Sequence, residues 1–405
     1  VKPARGRRSP PRIDFAWELG ARTGHVTTLH PVALAMKARG YAVRFLLREV
    51  AAGADLEGAG SIPREPAPVW VGPMPYASPL NFGEILHNFG YAQEASLRPL
   101  VDAWRERLAD SAAVIANVAP AGHLAARTLG VPSFEVSQGF HIPPPAMPAP
   151  PLRDWEPAPR ARLEAADRRV LGAMNAVLAA YGVAPLATIG DLFAGRELLL
   201  TYPELDIYPE RGPSEYYGIT DSAEGDALPE WPQASGPRVF AYLYRDYPQR
   251  EGLLEALRAL GLPALVFCRG LDAAARTRNE SATMTVSDRP VAVSRALPQC
   301  DLVVCHGSHQ MTAQALLAGK PLLMLPTQLE QFLITRRVVR MGAGLGVMQE
   351  VPDADFGAAL AEVARSEGYA AAARTFAQRY ARHDRSAALS TILARCEAAI
   401  AACRR

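Results

Sequence analysis

Residues 301–331 read Asp301-Leu-Val-Val-Cys-His-Gly-Ser-His-Gln-Met-Thr-Ala-Gln-Ala-Leu-Leu-Ala-Gly-Lys-Pro-Leu-Leu-Met-Leu-Pro-Thr-Gln-Leu-Glu-Gln331. A short apolar run, 302–305, predicts a strand that ends at His306-Gly307. A helix over 308–318 follows at once and is closed by Gly319. A second apolar strand over 321–325 ends at Pro326, and Glu330-Gln331 stand a few residues beyond it. In an open parallel sheet, ligands gather at the carboxyl ends of the strands, where helix N-termini turn unpaired N–H groups outward. The segment therefore predicts an anion seat, and after the second strand a polar pair suited to hydroxyl groups.

The same strand–helix alternation extends in both directions. Upstream in this half, strands are predicted over 238–244 and 264–267 around a helix at 250–260 with Gly261 after it; downstream, a helix covers 332–341. The last 50 residues, rich in Ala and Arg, read as helices. Near the start, 13–17 reads as a strand around Asp14. A Gly-punctuated turn spans 20–24, a helix runs from His25 to Gly40, and 41–47 is the next strand. This strand–helix–strand unit predicts a parallel pair with a right-handed crossover. Further strands fall at 114–117, 132–136 and 198–202, and helices at 120–129 and 161–182. Residues 203–205 close this first series, and 206–237, dense in Pro, Gly and acid, read as a linker. The simplest architecture is α/β: two doubly wound, Rossmann-like parallel-sheet domains facing each other across a cleft. The expected division is a basic disordered tail at 1–12, a first domain at 13–205, the linker, a second domain at 238–385, and a last helix over 386–405 that packs back on the first domain.

Position gives several residues a chemical role in the second domain. His306 ends a strand ahead of a helix, where its ring can donate to a diphosphate oxygen while Gly307 allows close backbone approach. Ser308 is a candidate N-cap whose hydroxyl shares that anion. Thr312 adds a hydroxyl one turn on, and Gln314, about two turns past His306, suits a ribose hydroxyl. Taken alone, a His before a helix is more often a cap or a packed side chain; the ordered set points to a site.

The order His-Gly-x-x-x-x-Thr-x-Gln-Ala-Leu-x-x-Gly-x-Pro-x-Leu-x-x-Pro-x-x-x-Glu-Gln resembles the donor-binding signature of the UDP-glycosyltransferase-like enzymes with the GT-B fold, the plant natural-product and bacterial antibiotic glycosyltransferases among them. The likeness takes in Arg295-Ala-Leu-Pro-Gln-Cys-Asp301 and Gly342-Ala-Gly, and touches Gly24-His25-Val and Arg39-Gly-Tyr-Ala-Val. It implies that His306 contacts the donor diphosphate, with Gly307, Ser308 and Thr312 around it. It implies also that Gln314 stands for the usual ribose-binding Glu, and that Glu330 and Gln331 grip the transferred sugar. The sequence departs from the family pattern at Gln314, at Gln310 and Met311 where small residues are common, and at Tyr242 to Tyr244 in place of Gly-Ser.

In the first domain, an acceptor hydroxyl needs a base as it attacks the anomeric carbon, and a neutral His can serve near neutral pH. His25 lies in the first strand–helix loop, where the resembling family keeps its general base. That family orients the base with an Asp after a later strand; here the position is Asn117, which can hold the tautomer but adds no charge. His30 is a weaker rival and Glu18 a minor helper. Without catalysis, His25 would be a helix-start hydrogen-bonding residue. Phe82, His87, Phe89 and Phe140 are candidates for an apolar acceptor pocket, with packing in the core as the competing reading.

Composition bounds the rest. A chain of 405 residues with 49% apolar residues and net charge +2 predicts two cores and offers no global case for nucleic acid. Five unclustered cysteines without metal-ligand spacing fit free thiols in a cytoplasm. The start lacks a secretory signal's apolar run, and no uninterrupted membrane-length apolar window is found. Basic residues at 336, 337 and 340 leave peripheral contact with an inner membrane open. The expected activity is that of an inverting, metal- and cofactor-independent glycosyltransferase: a UDP- or dTDP-sugar gives its sugar to a hydroxyl of a small hydrophobic or lipid acceptor. The alternatives are a nucleotide-sugar epimerase or hydrolase, and a non-catalytic nucleotide-sugar-binding partner of another transferase. Sugar, nucleobase, acceptor and oligomeric state are not legible in the sequence.

Overall fold

The computed structural model describes residues 10–21, 23–209, 211–220, 225–349 and 354–403. Two compact units emerge. The described residues of the first lie within 10–200, 208–220 and 385–403, and those of the second within 201–207 and 225–384. The stretch read as a linker is thus divided between them. Tyr217 joins the first unit's core, and Ala227 bridges to Val291 in the second. Of the tail read over 1–12, residues 1–9 lie outside the described residues, and Arg12 is already the first residue of a strand.

The first unit holds β1 (Arg12–Trp17), α1 (Gly24–Ala38), β2 (Ala42–Leu47), β3 (Arg64–Pro66), α2 (Phe82–Asn88) and α3 (Glu94–Leu108). It continues with β4 (Ser111–Ala116), α4 (Pro120–Leu129), β5 (Ser133–Ser137), α5 (Arg160–Ala180) and β6 (Glu197–Leu199). All six strands are parallel, in the order β3-β2-β1-β4-β5-β6. Alternation along each strand splits the core into two layers. Ile13, Phe15 and Trp17 of β1 face one layer, with Val26, Leu29 and Met36 of α1. Ala16 faces the other, with Trp104, Leu124 and Val170 of α3, α4 and α5. Asp14, the one acid inside β1, is fully buried and held by Arg44 at 2.8 Å and Arg12 at 3.2 Å; two guanidinium groups offset the desolvation of its charge.

The second unit begins with β7 (Val239–Tyr244), α6 (Arg250–Leu260), β8 (Ala264–Arg269), α7 (Ala273–Asn279), β9 (Met284–Ser287), α8 (Val293–Ala296) and β10 (Leu302–Cys305). Then come α9 (His309–Leu317), β11 (Leu322–Met324), α10 (Leu329–Arg340), β12 (Gly344–Gly346), α11 (Phe356–Arg365) and α12 (Glu367–Arg379). Its sheet is parallel too, in the order β12-β11-β10-β7-β8-β9. Each sheet therefore starts in its middle and winds outward both ways, with a topological switch point between β1 and β4 in one and between β10 and β7 in the other.

The last helix, α13 (Arg385–Cys403), belongs to the first unit. It is long and apolar enough to pass for a membrane span by length and composition. Its Ile392, Leu393, Cys396 and Ile400 nevertheless sit in the β1–α1 core layer. Cys268, Cys300, Cys305 and Cys396 are free and buried, and Cys403 is free and exposed.

Candidate active site

Both candidate histidines lie at the switch points, where crossovers leave in opposite directions and open a crevice at the strands' carboxyl ends. In the first unit β1 leads through a turn to His25, in the first turn of α1, and β4 leads to Asn117. His25 Nδ1 lies 2.6 Å from Asn117 Oδ1. Asn117 spends its amide Nδ2–H on the Val136 carbonyl, so its oxygen faces the ring. An amide oxygen only accepts, which assigns the proton to Nδ1 and leaves Nε2 with a bare lone pair. The ring stacks on Trp17, centroids 5.0 Å apart. Burial lowers the His25 pKa from 6.5 to about 4, against the upward pull of the Asn117 bond; His141 adds to the lowering and Glu135 opposes it. At neutral pH His25 is therefore an uncharged acceptor of protons. Gly20 sits opposite Nε2 with φ +90°, and a Cβ there would lie 2.5 Å from that nitrogen. Glycine both permits the turn and leaves the lone pair unobstructed.

The other first-unit residues have different neighbours from those expected. Glu18 is buried: Tyr91 Oη donates to it at 2.5 Å and the Ala121 amide at 2.9 Å. Burial raises its pKa to about 8 despite these bonds. It fastens the start of α4 and makes no bond to His25. His30 Nε2 donates to the Glu57 carbonyl at 2.7 Å and its ring stacks on Phe45, so it is no rival base. Phe82 is a core residue, not a pocket wall: it is 1% exposed and meets Phe193 edge-on. Its place on the inward face of α2 explains this. His87, half-buried, packs edge-on against Tyr76. Phe89 and Phe140 keep partly exposed rings. The loop that carries Phe140 is strapped down by Tyr208 Oη on its carbonyl and by Arg211 on the carbonyls of Gly139 and Ile142.

Sequence reasoning missed the buried cluster behind Asn117. Glu135, in the middle of β5, is fully buried. It accepts from His123 Nε2 at 2.7 Å, His141 Nε2 at 2.8 Å and the Val118 amide at 2.6 Å. Burial alone would raise its pKa, but the two imidazoles hold it down at about 2. The available signal was a lone acid inside Ser-Phe-Glu-Val-Ser, an otherwise buried strand.

In the second unit, β10 ends at Cys305, His306 follows it directly, and α9 begins three residues further on. Gly307 has φ +77°, and a Cβ there would come within 3.0 Å of the Gln331 carbonyl and Thr335 Oγ1. Ser308 is the N-cap, and its side chain makes no capping bond. The amides of the first turn of α9 have no intrahelical acceptors and carry the positive end of the helix dipole. This is the place where the sequence predicts an anion seat. His306 itself is arranged differently from expectation. Its Nδ1–H donates to the Leu325 carbonyl at 2.8 Å, and its Nε2 accepts the Tyr244 amide at 2.9 Å. The ring is neutral, stacked on Tyr244 at 4.6 Å, and met edge-on by Tyr247. Neither nitrogen offers a proton to a phosphate in this state.

The remaining donor-side candidates also separate. Thr312 is fully buried against Cys305, within the α9–β10 packing layer instead of at the helix's open end. Gln314 is largely buried on α9. Of the acid–amide pair, Gln331 turns inward: its Oε1 accepts the Thr327 amide at 2.9 Å and hydroxyl at 3.0 Å. That capping geometry fixes the loop after β11 and commits the group expected on a sugar. Glu330 stays half-buried in the first turn of α10. His309, unnoticed in the sequence, pairs Nε2 with Thr201 Oγ1 at 2.7 Å, and burial lowers its pKa to about 4. Among the described residues no group of three or more His, Cys, Asp or Glu side chains is arranged to hold a metal ion.

The chain matches no protein-family model. It is 27% identical over 397 residues to the L-demethylnoviosyl transferase of Streptomyces niveus, covering 92% of this chain and 95% of that protein. The calicheamicin glycosyltransferase CalG4 superposes with a TM-score of 0.68 at 16% identity, over 96% of this chain and 98% of the other. The glycosyltransferase VinC, solved with dTDP, superposes with a TM-score of 0.62 at 16% identity, over 95% and 100%. The chain thus has the GT-B fold, and in sequence it is similar to a Streptomyces glycosyltransferase.

Proposed function

We propose that the chain moves a sugar from a dTDP- or UDP-linked donor to a hydroxyl of a small, apolar acceptor, with inversion at the anomeric carbon. One observation carries this reading: a neutral His25, its Nδ1–H fixed on Asn117, with a bare Nε2 at the switch point of the first sheet. Nε2 takes the hydroxyl proton as the acceptor oxygen attacks the anomeric carbon. The bond from that carbon to the donor's phosphate oxygen breaks, and the electron pair leaves on the diphosphate. The open first-turn amides of α9, with Ser308, receive that charge. Glu330 is the candidate for a sugar hydroxyl, and Phe89 and Phe140 for acceptor contact. The Streptomyces relative and the dTDP complex of VinC support the donor class. The buried free thiols support a cytoplasmic setting. No metal or cofactor is required by this reading.

A thermal-shift panel of dTDP, UDP, GDP and ADP sugars tests the donor assignment, because a ligand of the folded state raises Tm with occupancy. A rise with dTDP or UDP compounds is expected, and a rise with GDP or ADP compounds alone would refute it.

Two further outcomes follow from the geometry. Gly20→Ala places a methyl against His25 Nε2 at a backbone angle that disfavours it. Transfer should fall by about 10²-fold, the order reached when a reacting group is displaced by an ångström. Calorimetric dTDP affinity should be unchanged; parent-like transfer would show that Nε2 has no part. At His306, donation to a phosphate needs Nε2 to gain a proton and to release the Tyr244 amide. Binding of dTDP should then take up about one proton, read by calorimetry in buffers of different ionisation enthalpy. Zero uptake would leave the anion to the helix amides alone.

A further inference from the structure

A β-branched residue in the left-handed region is uncommon and strained. Val118, directly after Asn117, has φ +58° and is the one non-glycine with positive φ among the described residues. Its amide donates to Glu135 Oε1 at 2.6 Å, while its carbonyl accepts the amides of Glu18 at 3.1 Å and Leu19 at 2.9 Å. This single residue therefore joins the end of β4, which carries Asn117, to the end of β1, which leads through Trp17 and Gly20 to His25. The carboxylate that holds it is itself fixed. Arg196 Nη1 donates to Ser133 Oγ at 2.9 Å, and Ser133 Oγ lies 3.0 Å from His123 Nδ1. A hydroxyl proton on that Nδ1 leaves His123 Nε2–H to donate to Glu135. His141 supplies the second imidazole donor.

We infer that Glu135 is a positioning residue for His25: its buried carboxylate locks Val118 in the left-handed conformation, and that lock holds Asn117 Oδ1 on His25 Nδ1–H. Its charge also opposes the pull of His141 on His25 and favours the imidazolium that forms when Nε2 gains a proton. This takes over part of the work that a carboxylate at position 117 would do. The inference rests on His25 as the general base, yet its test does not depend on sugar transfer.

The charged and titratable groups facing this network are Glu18 just after β1, with Tyr91 and Arg48 bonded to it, His123 from α4, His141 from the loop after β5, and Arg196 before β6. The measurement is the tautomer of His25, read at neutral pH from the ring nitrogen shifts of the full chain labelled with ¹⁵N-histidine, the resonance being assigned with His25→Ala. The parent should show the Nδ1–H form; an Nε2–H parent overturns the inference. Glu135→Gln, which cannot accept from both imidazoles and the Val118 amide together, should convert His25 to a mixture of tautomers. Val118→Gly in that background should restore the Nδ1–H form, because glycine adopts this backbone without a strap. A folded Glu135→Gln protein with an unchanged His25 tautomer would overturn the inference. If Glu135→Gln fails to fold, rescue of folding by Val118→Gly supports the strap, and failure of that rescue counts against it. Binding of dTDP should be the same in every folded variant. Should His25→Ala retain transfer while the tautomer responds as expected, the function reading fails and the positioning role stands.

Discussion

His25→Ala should lower transfer by about 10²- to 10⁴-fold, the range supplied by a positioned general base, and leave dTDP affinity at the parent value. The physical reason is local. The imidazole is held between Trp17 and Asn117, with its free lone pair on Nε2, and among the described residues no other base is hydrogen-bonded to it. The carboxyl of Glu18 is spent on Tyr91 and Ala121, and His30 on the Glu57 carbonyl. Truncation removes a partly exposed ring at a helix start, so stability should change by no more than about 1 kcal/mol. The pH profile gives a second readout. A base works only when unprotonated, and burial sets the His25 pKa at about 4. For the parent, kcat/KM should be level from about pH 5 upward and fall as pH drops through about 4. An unperturbed imidazole would put that limb near 6.5. A parent-like rate in His25→Ala, or an acid limb above pH 6 that survives the substitution, would remove His25 from the chemistry.

Gly307→Ala should do the reverse: weaken dTDP binding by about tenfold or more while leaving the His25 tautomer intact. At φ +77° an alanine costs roughly 1–3 kcal/mol in backbone strain. Its methyl would also press on the Gln331 carbonyl and Thr335 Oγ1, both at 3.0 Å, and on the Met324 methyl at 3.2 Å. Two of those three contacts are on α10, and Gly307 lies immediately before the cap of α9. Relief must therefore come from a shift of the α9 start relative to α10, which moves the amides proposed to receive the diphosphate. Calorimetry with dTDP, alongside thermal denaturation, checks both effects. A destabilised protein with parent-like dTDP affinity would show that the anion sits elsewhere.

The alternation of apolar strands and helices made the two doubly wound sheets legible, and with them the positions of His25, Asn117 and His306 at strand ends. Two of the three-residue edge strands escaped. Arg64–Pro66 and Gly344–Gly346 are too short to show a period of two, and the second is made of glycines around one leucine. The state of His306 was illegible because its partners, Tyr244 and the Leu325 carbonyl, are 62 and 19 residues away. Only pairing of β10 with β7 and β11 brings them to the ring. Gln331 has the sequence position of a sugar ligand, but its side chain caps its own loop, a local bond that competes with any ligand. Phe82 shared helical spacing with Phe89, yet their exposures differ. Glu135 was a single letter in a buried strand; three donors from α4, from the end of β4 and from the loop after β5 give it meaning.

The most direct test of the account is release of dTDP from a dTDP-sugar, followed with and without a hydroxylated aromatic acceptor, in the parent and in His25→Ala. Release is expected to depend on the acceptor, to be accompanied by the mass of the glycosylated product, and to be lost in His25→Ala while calorimetry still shows dTDP bound. Release at the same rate in both proteins, or epimer and free sugar in place of a glycosylated acceptor, would contradict it.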